Sequence, residues 1–455
     1  MAQENYSEEI SESNNQSKTE EPADSLCREA YQCSQSNEEQ QARAQEAIRI
    51  TQSAQSFLPD ISFDFDQLSE NLTNAFETMQ AQTCGDVAVD KTLRSKDLND
   101  LVELNFDRID SDGNGYLSKD EINAAVVNPC FKGKDAQMVA ALHERQEDLE
   151  EMSDDEFGDE DDGITREDMT AFNEMVQKAE KDESESKLVR QIDGMLNRAG
   201  ESIDGANRDL FANADDPLSC IKPEAVKQGM IGDCYFVAAV ASLAQTEEGK
   251  QAIHDMIQDN GDGTYTVTFP GDPENPVTID APTDAELGLY AAGSKEGTWP
   301  AVLEKAYGKY NDADNVNPHD GISNGSVRPL GLEILTGKSN DGDMISVTSH
   351  EVTHEKLKQA IEEGRPVTAA INNEFWSIIN LSDNKTDDAG LQGGHVYSVL
   401  DYDAENEIVT VRNPWGSGEP LNEDGTPKDG KLDGEFKMTL TEFEKNFSRI
   451  NYTDA

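Results

Sequence analysis

The chain has 455 residues, enough for about three domains of average size. Asp and Glu number 93 against 37 Lys and Arg, which gives a formal net charge of −56 at pH 7. A chain this acidic is repelled by nucleic acid and by anionic membranes, which excludes both as partners. It favours cations, especially hard ones such as Ca²⁺, and basic segments of other proteins.

The first thirty residues contain no apolar core of a secretory signal, and no stretch reaches the roughly 18 apolar residues of a membrane helix. The six cysteines form no CxxC pair and are too sparse for a disulfide framework. We therefore predict a soluble protein of the reducing cytoplasm without a transmembrane segment. Export without a cleaved signal stays open.

The amino-acid composition and the apolar periodicity change along the chain. Residues 1–85 are rich in Glu, Gln, Ser and Asn, which predicts a largely disordered acidic segment. Residues 86–183 contain helix–loop–helix patterns twice over. From residue 184 the aromatic and Gly content rises, and alternation such as that of residues 264–269 predicts strands, so this last region is α+β. The first helix is predicted from apolar residues at helical spacing, which are Leu98, Leu101, Val102, Leu104 and Ile109.

The segment DSDGNGYLSKDE, Asp110 to Glu121, has the spacing of a twelve-residue EF-hand loop. Gly115 at the sixth position permits the sharp turn, and Leu117 at the eighth is the apolar residue that pairs with a partner loop. Calcium takes about six to eight oxygen ligands, and this spacing wraps oxygens around one point. The predicted calcium ligands are Asp110, Asp112, Asn114, Tyr116, Ser118 and Glu121.

A second segment, Asp154 to Met169, resembles a degenerate EF-hand loop. Its Gly163 comes one position later than the pattern requires, and Asp168 at the twelfth position is shorter than Glu. We expect this loop to pair with the first through Ile164, and whether it binds a metal stays open. Residues 86–183 are thus predicted to form an all-α EF-hand calcium-binding domain.

Cys234 follows a Gly-Asp pair and begins a run of apolar helix formers. With Asp233 as the N-cap, Cys234 lies in the first helical turn, where the helix dipole favours thiolate and lowers the thiol pKa. The side-chain amide of Gln228 can return beside the sulfur and form an oxyanion hole with the Cys234 N–H. Taken alone, such a cysteine is more often a core residue, as we expect for Cys220 and Cys130.

A thiolate nucleophile needs an imidazole and a group that orients the imidazole. Two alternating runs flank a turn near Ala404, and a hairpin symmetric about that residue puts His395 opposite Asn413. Asn413 would then hold the imidazole tautomer, and Trp415 would shield the bond from water. The same register pairs Val399 with Val409 and Leu400 with Ile408.

These segments resemble the calpain family of cysteine proteases. QGMIGDCYFVAAVASL is similar to the family's cysteine-lobe signature, and GGHVYSV and RNPWG are similar to its histidine-lobe signatures. Trp299 to Asn311 and Asp433 to Phe447 resemble two further segments of its core. The similarity extends over about residues 190–455. One departure is Tyr235, which stands where calpains usually have Trp.

The resemblance implies an α+β, papain-like two-lobed core, with a cysteine lobe at residues 184–340 and a histidine/asparagine lobe at residues 341–455. It assigns Cys234, His395 and Asn413 to the catalytic triad and Gln228 to the oxyanion hole. Trp415 corresponds to the tryptophan that wedges the cleft of calcium-free family members.

The sequence thus predicts a calcium-responsive, calpain-like cysteine endopeptidase that cleaves protein substrates through a thioester on Cys234. Ca²⁺ is the predicted cofactor, and a calcium-dependent protein partner stays open. An alternative is a calcium-binding scaffold whose protease core is inactive. The complete set of Cys234, His395, Asn413 and Gln228 argues against it, because inactive homologues usually lose one member. An acyltransferase that uses the same thioester is a further alternative.

Overall fold

The computed structural model describes residues 93–153, 163–182, 186–291, 295–311, 330–371, 391–422 and 426–454. The acidic segment predicted to be disordered lies outside these residues, as does most of the second loop, residues 154–162. The described residues contain three hydrophobic cores. None of their helices combines the length and apolar character needed to cross a membrane.

The first core is a helical bundle with one short ribbon. In the ribbon, β1 (Tyr116–Leu117) pairs antiparallel with β2 (Ile164–Thr165), and Leu117 lies opposite Ile164, as the spacing of the two loops predicts. Both residues are fully buried in the bundle. The helices are α1 (Ser95–Ile109), α2 (Lys119–Val126), α3 (Lys134–Glu144), α4 (Gln146–Glu150), α5 (Arg166–Asp182) and α6 (Lys187–Gly205).

Helix α1 confirms the predicted apolar pattern with one exception. Leu98 and Val102 are buried in the bundle, but Leu104 is 78 % exposed, because its position falls on the opposite side of the helix. Helices α3 and α4 are separated at Arg145, whose φ of −124° and ψ of 23° leave the helical region. Helix α6 packs in this first core, although the predicted boundaries assign it to the cysteine lobe.

The second core surrounds α7 (Cys234–Leu243), whose residues from Tyr235 onward are all buried. Its sequence is apolar on every side, as expected for a helix enclosed by protein. The elements of this part of the chain are α8 (Glu247–Met256), β3 (Ile257–Asp259), β4 (Thr264–Val267), β5 (Val277–Asp280), α9 (Asp284–Leu289), α10 (Trp299–Asn311) and α11 (Leu330–Thr336).

The third core lies on a six-stranded antiparallel sheet with the strand order β10–β9–β8–β7–β11–β6. Helix α7 packs against β7 and β8, so the start of β8 lies beside the second core. The elements are β6 (Asn340–Met344), α12 (His350–Glu362), β7 (Val367–Ile371), β8 (His395–Asp403), β9 (Ile408–Arg412), β10 (Glu435–Thr439), α13 (Leu440–Asn446) and β11 (Arg449–Thr453).

The predicted hairpin between β8 and β9 forms, but its predicted register is wrong. Val399 pairs with Val411, two residues beyond the expected partner, and a β-bulge follows at Leu400. A shift of two residues keeps each side chain on its original face of the sheet, because side chains alternate with a period of two. For this reason His395 and Asn413 still meet, although they are not paired within the ladder.

The short helix α9 is shared between the first two cores. Its Ala285 and Leu289 pack in the first core, whereas Leu287 packs in the second. Thr283 caps the helix, and its hydroxyl donates a hydrogen bond of 2.6 Å to the backbone oxygen of Val126, the last residue of α2. Helix α9 therefore connects the bundle with the core around α7.

Candidate active site

Cys234 is the first residue of α7, as its sequence context predicts. Its thiol accepts a hydrogen bond from the backbone N–H of Val396, the second residue of β8. This contact brings the thiol to the strand that begins with His395. Of the other cysteines, Cys220 is buried, with its thiol accepting the backbone N–H of Asn213 at 3.2 Å, and Cys130 is partly buried.

His395 and Asn413 are joined by a hydrogen bond of 3.0 Å between Nε2 and Oδ1, and both residues are buried. The backbone N–H of Trp415 donates to the same Oδ1 at 3.0 Å, which fixes the orientation of the amide. Since that oxygen accepts, Nε2 of His395 carries the imidazole proton. Nδ1 is left with a lone pair that can accept a proton.

Trp415 covers this pair on its outer side. Its ring lies 4.6 Å from the imidazole of His395, centroid to centroid, while 42 % of the residue is exposed. The indole thus lies against the imidazole, at the position from which the sequence predicts that it shields the bond between His395 and Asn413.

Gln228 is held where the second and third cores meet. Its backbone N–H donates to the carbonyl oxygen of Pro414 at 2.8 Å, between Asn413 and Trp415. Its side-chain Nε2 donates to the carbonyl oxygen of Ile231 at 2.7 Å. The same Nε2 also donates to Oδ1 of Asp233 at 3.4 Å. In this conformation both N–H groups of the carboxamide predicted for the oxyanion hole are thus donated to the turn that leads into Cys234.

The electrostatics of the thiol differ from the prediction. Burial raises the pKa of Cys234 to about 11, and the charge of Asp233 contributes, despite opposing hydrogen bonds from backbone N–H groups. Burial also lowers the pKa of His395 to about 4, against the effect of its hydrogen bond with Asn413. The predicted low thiol pKa is therefore wrong for this conformation, and both groups are neutral at pH 7.

Asp233 precedes α7 as expected, but its side chain does not cap the helix. The residue is fully buried, and its carboxyl lies within hydrogen-bonding reach of Glu304 of α10. Sequence reasoning missed Glu304, whose only signal is an acid within the apolar face of a predicted helix.

Arg412 is a second residue that sequence reasoning missed. It is fully buried next to Asn413, and its three side-chain nitrogens have no hydrogen-bond partner among the described residues. Burial lowers its pKa to about 10, while the charges of Glu224, Asp433 and Glu435 oppose this shift. Its signal is a basic residue that ends the apolar strand IVTVR.

The carboxylates of the predicted calcium loop converge. One oxygen each from Asp110, Asp112 and Glu121 lies within 4.8 Å of the others. Gly115 has a φ of +96°, which favours glycine and permits the turn. Although burial opposes it, hydrogen bonds from Ser118 and Ser111 hold the pKa of Glu121 below its usual value.

The other predicted ligands lie in the same loop. The side-chain oxygen of Asn114 accepts a hydrogen bond from Tyr116, whose backbone continues into β1. Ser118 is the N-cap of α2 and donates its hydroxyl to Glu121 at 2.8 Å. An all-oxygen donor set of this kind fits Ca²⁺. In the second loop, Asp168 is buried and accepts hydrogen bonds from residues on both sides of the undescribed segment, Ser153 and Thr165.

Gly229 allows the segment after Gln228 to lie against the end of α9. A Cβ atom at Gly229 would come within 2.0 Å of the carbonyl oxygen of Leu289, which is backbone and cannot rotate away. We expect Gly229→Ala to lower the free energy of unfolding by about 1–3 kcal/mol, as overpacking does, and to displace Gln228. Thermal unfolding and casein cleavage measure the two effects.

Gly194→Ala is the matched control. Gly194 is exposed on α6 and has no atom within 4 Å of an added Cβ. Its replacement should stabilise the helix by about 0.5–1 kcal/mol, because alanine is the better helix former. If Gly229→Ala melted at the temperature of the parent and stayed active, the assigned close approach would be incorrect.

Residues 207–454 match the family described as calpain family cysteine protease. Relatives with sequence similarity include Calpain-9 of Rattus norvegicus, at 26 % identity over 49 % of this chain and 35 % of the relative. The Calpain-1 catalytic subunit of Gallus gallus is 28 % identical, and the Calpain-2 catalytic subunit of Homo sapiens 26 %; each match covers 49 % of this chain and 34 % of the relative. The matched region thus spans about a third of the length of these relatives.

A cysteine at a helix start, beside a strand whose histidine is held by an asparagine, is the arrangement of a cysteine protease. The family match covers more than half of the chain and includes Cys234, His395 and Asn413. The chain belongs to the calpain family of cysteine proteases.

Proposed function

We propose that the protein is a calpain-like cysteine endopeptidase acting on protein substrates. Cys234 is the nucleophile, His395 the general base and acid, Asn413 the residue that orients the imidazole, and Gln228 a donor to the oxyanion. The observation that carries the proposal is the hydrogen bond of 3.0 Å from His395 to an Asn413 oxygen that also accepts from Trp415. This bond leaves Nδ1 of His395 available for the thiol proton.

In the reaction, Sγ of Cys234 adds to the carbonyl carbon of the scissile peptide bond, and the thiol proton moves to Nδ1 of His395. The scissile C–N bond then breaks as the imidazolium gives that proton to the leaving amine, and an acyl thioester remains on Cys234. A water molecule attacks the thioester while His395 takes its proton. The thioester C–S bond breaks, the carboxylic acid leaves, and the thiol regains its proton.

The alternatives differ in the fate of a peptide substrate. An inactive scaffold leaves casein uncleaved under every condition, whereas an acyltransferase passes the acyl group to an added amine in preference to water. Incubating the full chain with casein and with a peptide plus a primary amine, with and without calcium, distinguishes all three. The proposed function requires new amino termini that disappear when Cys234 is replaced by alanine.

We also propose that residues 86–183 form an EF-hand domain and that Ca²⁺ binds at Asp110–Glu121. The support is the convergence of three carboxylates on one point, together with the glycine turn. The pairing of Leu117 with Ile164 supports a second, structural hand. When bound, the ion supplies positive charge that neutralises the repelling carboxylates of the loop.

Calcium binding can influence the cleft because short contacts connect the cleft with α2, the helix that follows the calcium loop. Val126 at the end of α2 accepts the hydroxyl of Thr283, the cap of α9. At the other end of α9, the carbonyl oxygen of Leu289 accepts the N–H of Met230 at 2.8 Å, two residues after Gln228. A movement of α2 is therefore transmitted through α9 to the oxyanion side of the cleft.

Glu121→Gln tests this coupling. Removing the charge at the twelfth loop position should weaken calcium binding at least about tenfold, because the site loses one of its three carboxylates. If the loop governs the protease, the calcium concentration for half-maximal casein cleavage should rise in parallel. Calorimetric titration with Ca²⁺ and casein cleavage on the same preparation give the two values.

Glu201→Gln is the control, since it makes the same charge change on the exposed surface of α6, away from the loop. Both calcium curves of this variant should match those of the parent. An unchanged cleavage curve in Glu121→Gln, with loop binding lost, would refute the coupling and leave the calcium site in place.

A further inference from the structure

Two carboxyl groups are buried directly behind the start of α7. Asp233 is fully buried, and Glu304 of α10 is 1 % exposed. The two side chains lie within hydrogen-bonding reach of each other. Lys305, the cation next to Glu304 in sequence, is paired instead with Glu286 at 2.8 Å. The contact thus joins two acids, and Lys305 does not neutralise them because it is paired with Glu286.

One oxygen of each carboxyl group lacks a hydrogen-bond donor among the described residues. Oδ1 of Asp233 accepts from Nε2 of Gln228 at 3.4 Å, and Oε2 of Glu304 accepts the backbone N–H of Ala291. The other oxygens, Oδ2 of Asp233 and Oε1 of Glu304, are buried and have no donor in the part of the chain that the structure describes. Two ionised carboxylates in this contact would repel each other, whereas one proton between them satisfies both oxygens.

The surroundings also favour a protonated pair. Burial raises the pKa of Asp233 and of Glu304, and the charge of Asp233 raises that of Glu304 further. Burial raises the pKa of four neighbouring groups, and the charge of Asp233 raises it further; these groups are Cys234, Tyr235, Tyr290 and Tyr307. One shared proton therefore limits the buried negative charge beside the thiol.

The pair is attached to both parts of the cysteine side of the cleft. The backbone oxygen of Asp233 accepts the N–H of Phe236 at 2.8 Å, which anchors the first turn of α7. The side chain of the same residue accepts from the carboxamide of Gln228. Glu304 contacts this carboxyl group on its other side. Glu304 also accepts the backbone N–H of Ala291, in the segment after α9.

We propose that Asp233 and Glu304 share one proton and act together as positioning residues for Gln228 and for the start of the helix that begins with Cys234. The inference rests on the proposed protease function, in which Gln228 donates to the oxyanion. Glu304 acts through Asp233, which orients the carboxamide, and it does not contact the substrate.

Infrared difference spectroscopy of the full chain tests the shared proton independently of activity. At neutral pH, the spectrum of the parent minus that of Glu304→Gln should show the C=O stretch of a protonated carboxylic acid. Asp233→Asn should lose the same band, because its amide then donates to an ionised Glu304. Glu286→Gln is the control: this carboxylate is buried but paired with Lys305, and its replacement should leave the band in place. Absence of the band from the parent would overturn the proposal.

Steady-state kinetics test the positioning role. Glu304→Gln keeps a donor toward Asp233 and an acceptor for Ala291, so its kcat should stay within about threefold of the parent. Glu304→Leu leaves the Asp233 oxygen without a donor, and its kcat should fall about tenfold or more while KM changes less than about twofold. Equal kcat values in a folded Glu304→Leu variant would refute the role. If that variant does not fold, the infrared band still decides the shared proton.

A failure of the proposed function can be told apart from a failure of this inference. Cleavage that persists in Cys234→Ala would refute the protease mechanism, while the infrared band of the buried pair would be unaffected.

Discussion

Replacing Cys234 by alanine should abolish peptide-bond cleavage. The proposed nucleophile has no substitute at the start of α7, so kcat/KM should fall by at least about 10³-fold, the scale seen when a catalytic nucleophile is removed. The full chain carrying Cys234→Ala, assayed with casein in saturating calcium, gives the result.

Cys220→Ala is the control, because Cys220 is also buried but its thiol accepts the backbone N–H of Asn213 at 3.2 Å. It should retain cleavage once its melting temperature is shown to be near that of the parent. Cleavage by Cys234→Ala at the parental rate would remove the thiol from the mechanism.

The alkylation rate of Cys234 reports the state of its thiol. In the described conformation the thiol pKa is about 11, so the reactive thiolate fraction should increase about tenfold for each pH unit up to that value. Calcium-free protein should therefore react slowly with iodoacetamide at pH 7. A thiolate already paired with imidazolium would instead react at a rate that is nearly constant down to acidic pH.

The two pKa values have a consequence for activation. With a thiol pKa of about 11 and an imidazole pKa of about 4, moving a proton from Cys234 to His395 is unfavourable. Both shifts are caused mainly by burial, which opposes any charged form. We therefore expect the catalytic ion pair only after the cleft admits water or substrate, which requires movement of Trp415 among the described residues that contact His395. If calcium opens the cleft, it should bring the two pKa values closer together.

Sequence patterns predicted the helices and strands that hold the candidate triad, because apolar periodicity and turn residues are local properties. They predicted the contact of His395 with Asn413 but not the register, since the β-bulge at Leu400 depends on how β8 packs between β7 and β9. The exposed Leu104 shows the same limit, because only the assembled bundle decides which side of α1 is buried.

The predicted thiol pKa failed for a related reason. The N-terminus of a helix does favour thiolate, and the backbone N–H groups of Cys234 and Tyr235 lower the pKa as expected. Sequence alone does not reveal that the site is buried, nor that Asp233 turns away from its capping position toward Glu304. These contacts join residues that are far apart in sequence, and they outweigh the local effect of the helix.

Replacing His395 by alanine should also abolish cleavage, because no other described imidazole lies beside the thiol. We expect kcat/KM to fall by about 10²–10⁴-fold, the contribution of general acid–base catalysis. Asn413→Ala should cost about 10- to 100-fold, since it leaves the imidazole in place but removes the acceptor that orients it. Casein cleavage at saturating calcium, followed over pH, measures both.

The matched controls are His350→Ala and His354→Ala. Both residues lie on α12. His350 contacts Glu444 and Glu407, and His354 contacts Tyr402, so both imidazoles have partners other than the triad. Their variants should cleave casein at nearly the parental rate. In the described conformation the pKa of His395 is about 4, so its imidazole is neutral and able to accept the thiol proton above that pH. Because opening of the cleft should raise this pKa toward that of the thiol, parental cleavage at saturating calcium should decline at a pH above about 4. An active His395→Ala variant together with an inactive His350→Ala variant would show that the base lies on α12 and that the hydrogen bond between His395 and Asn413 is structural.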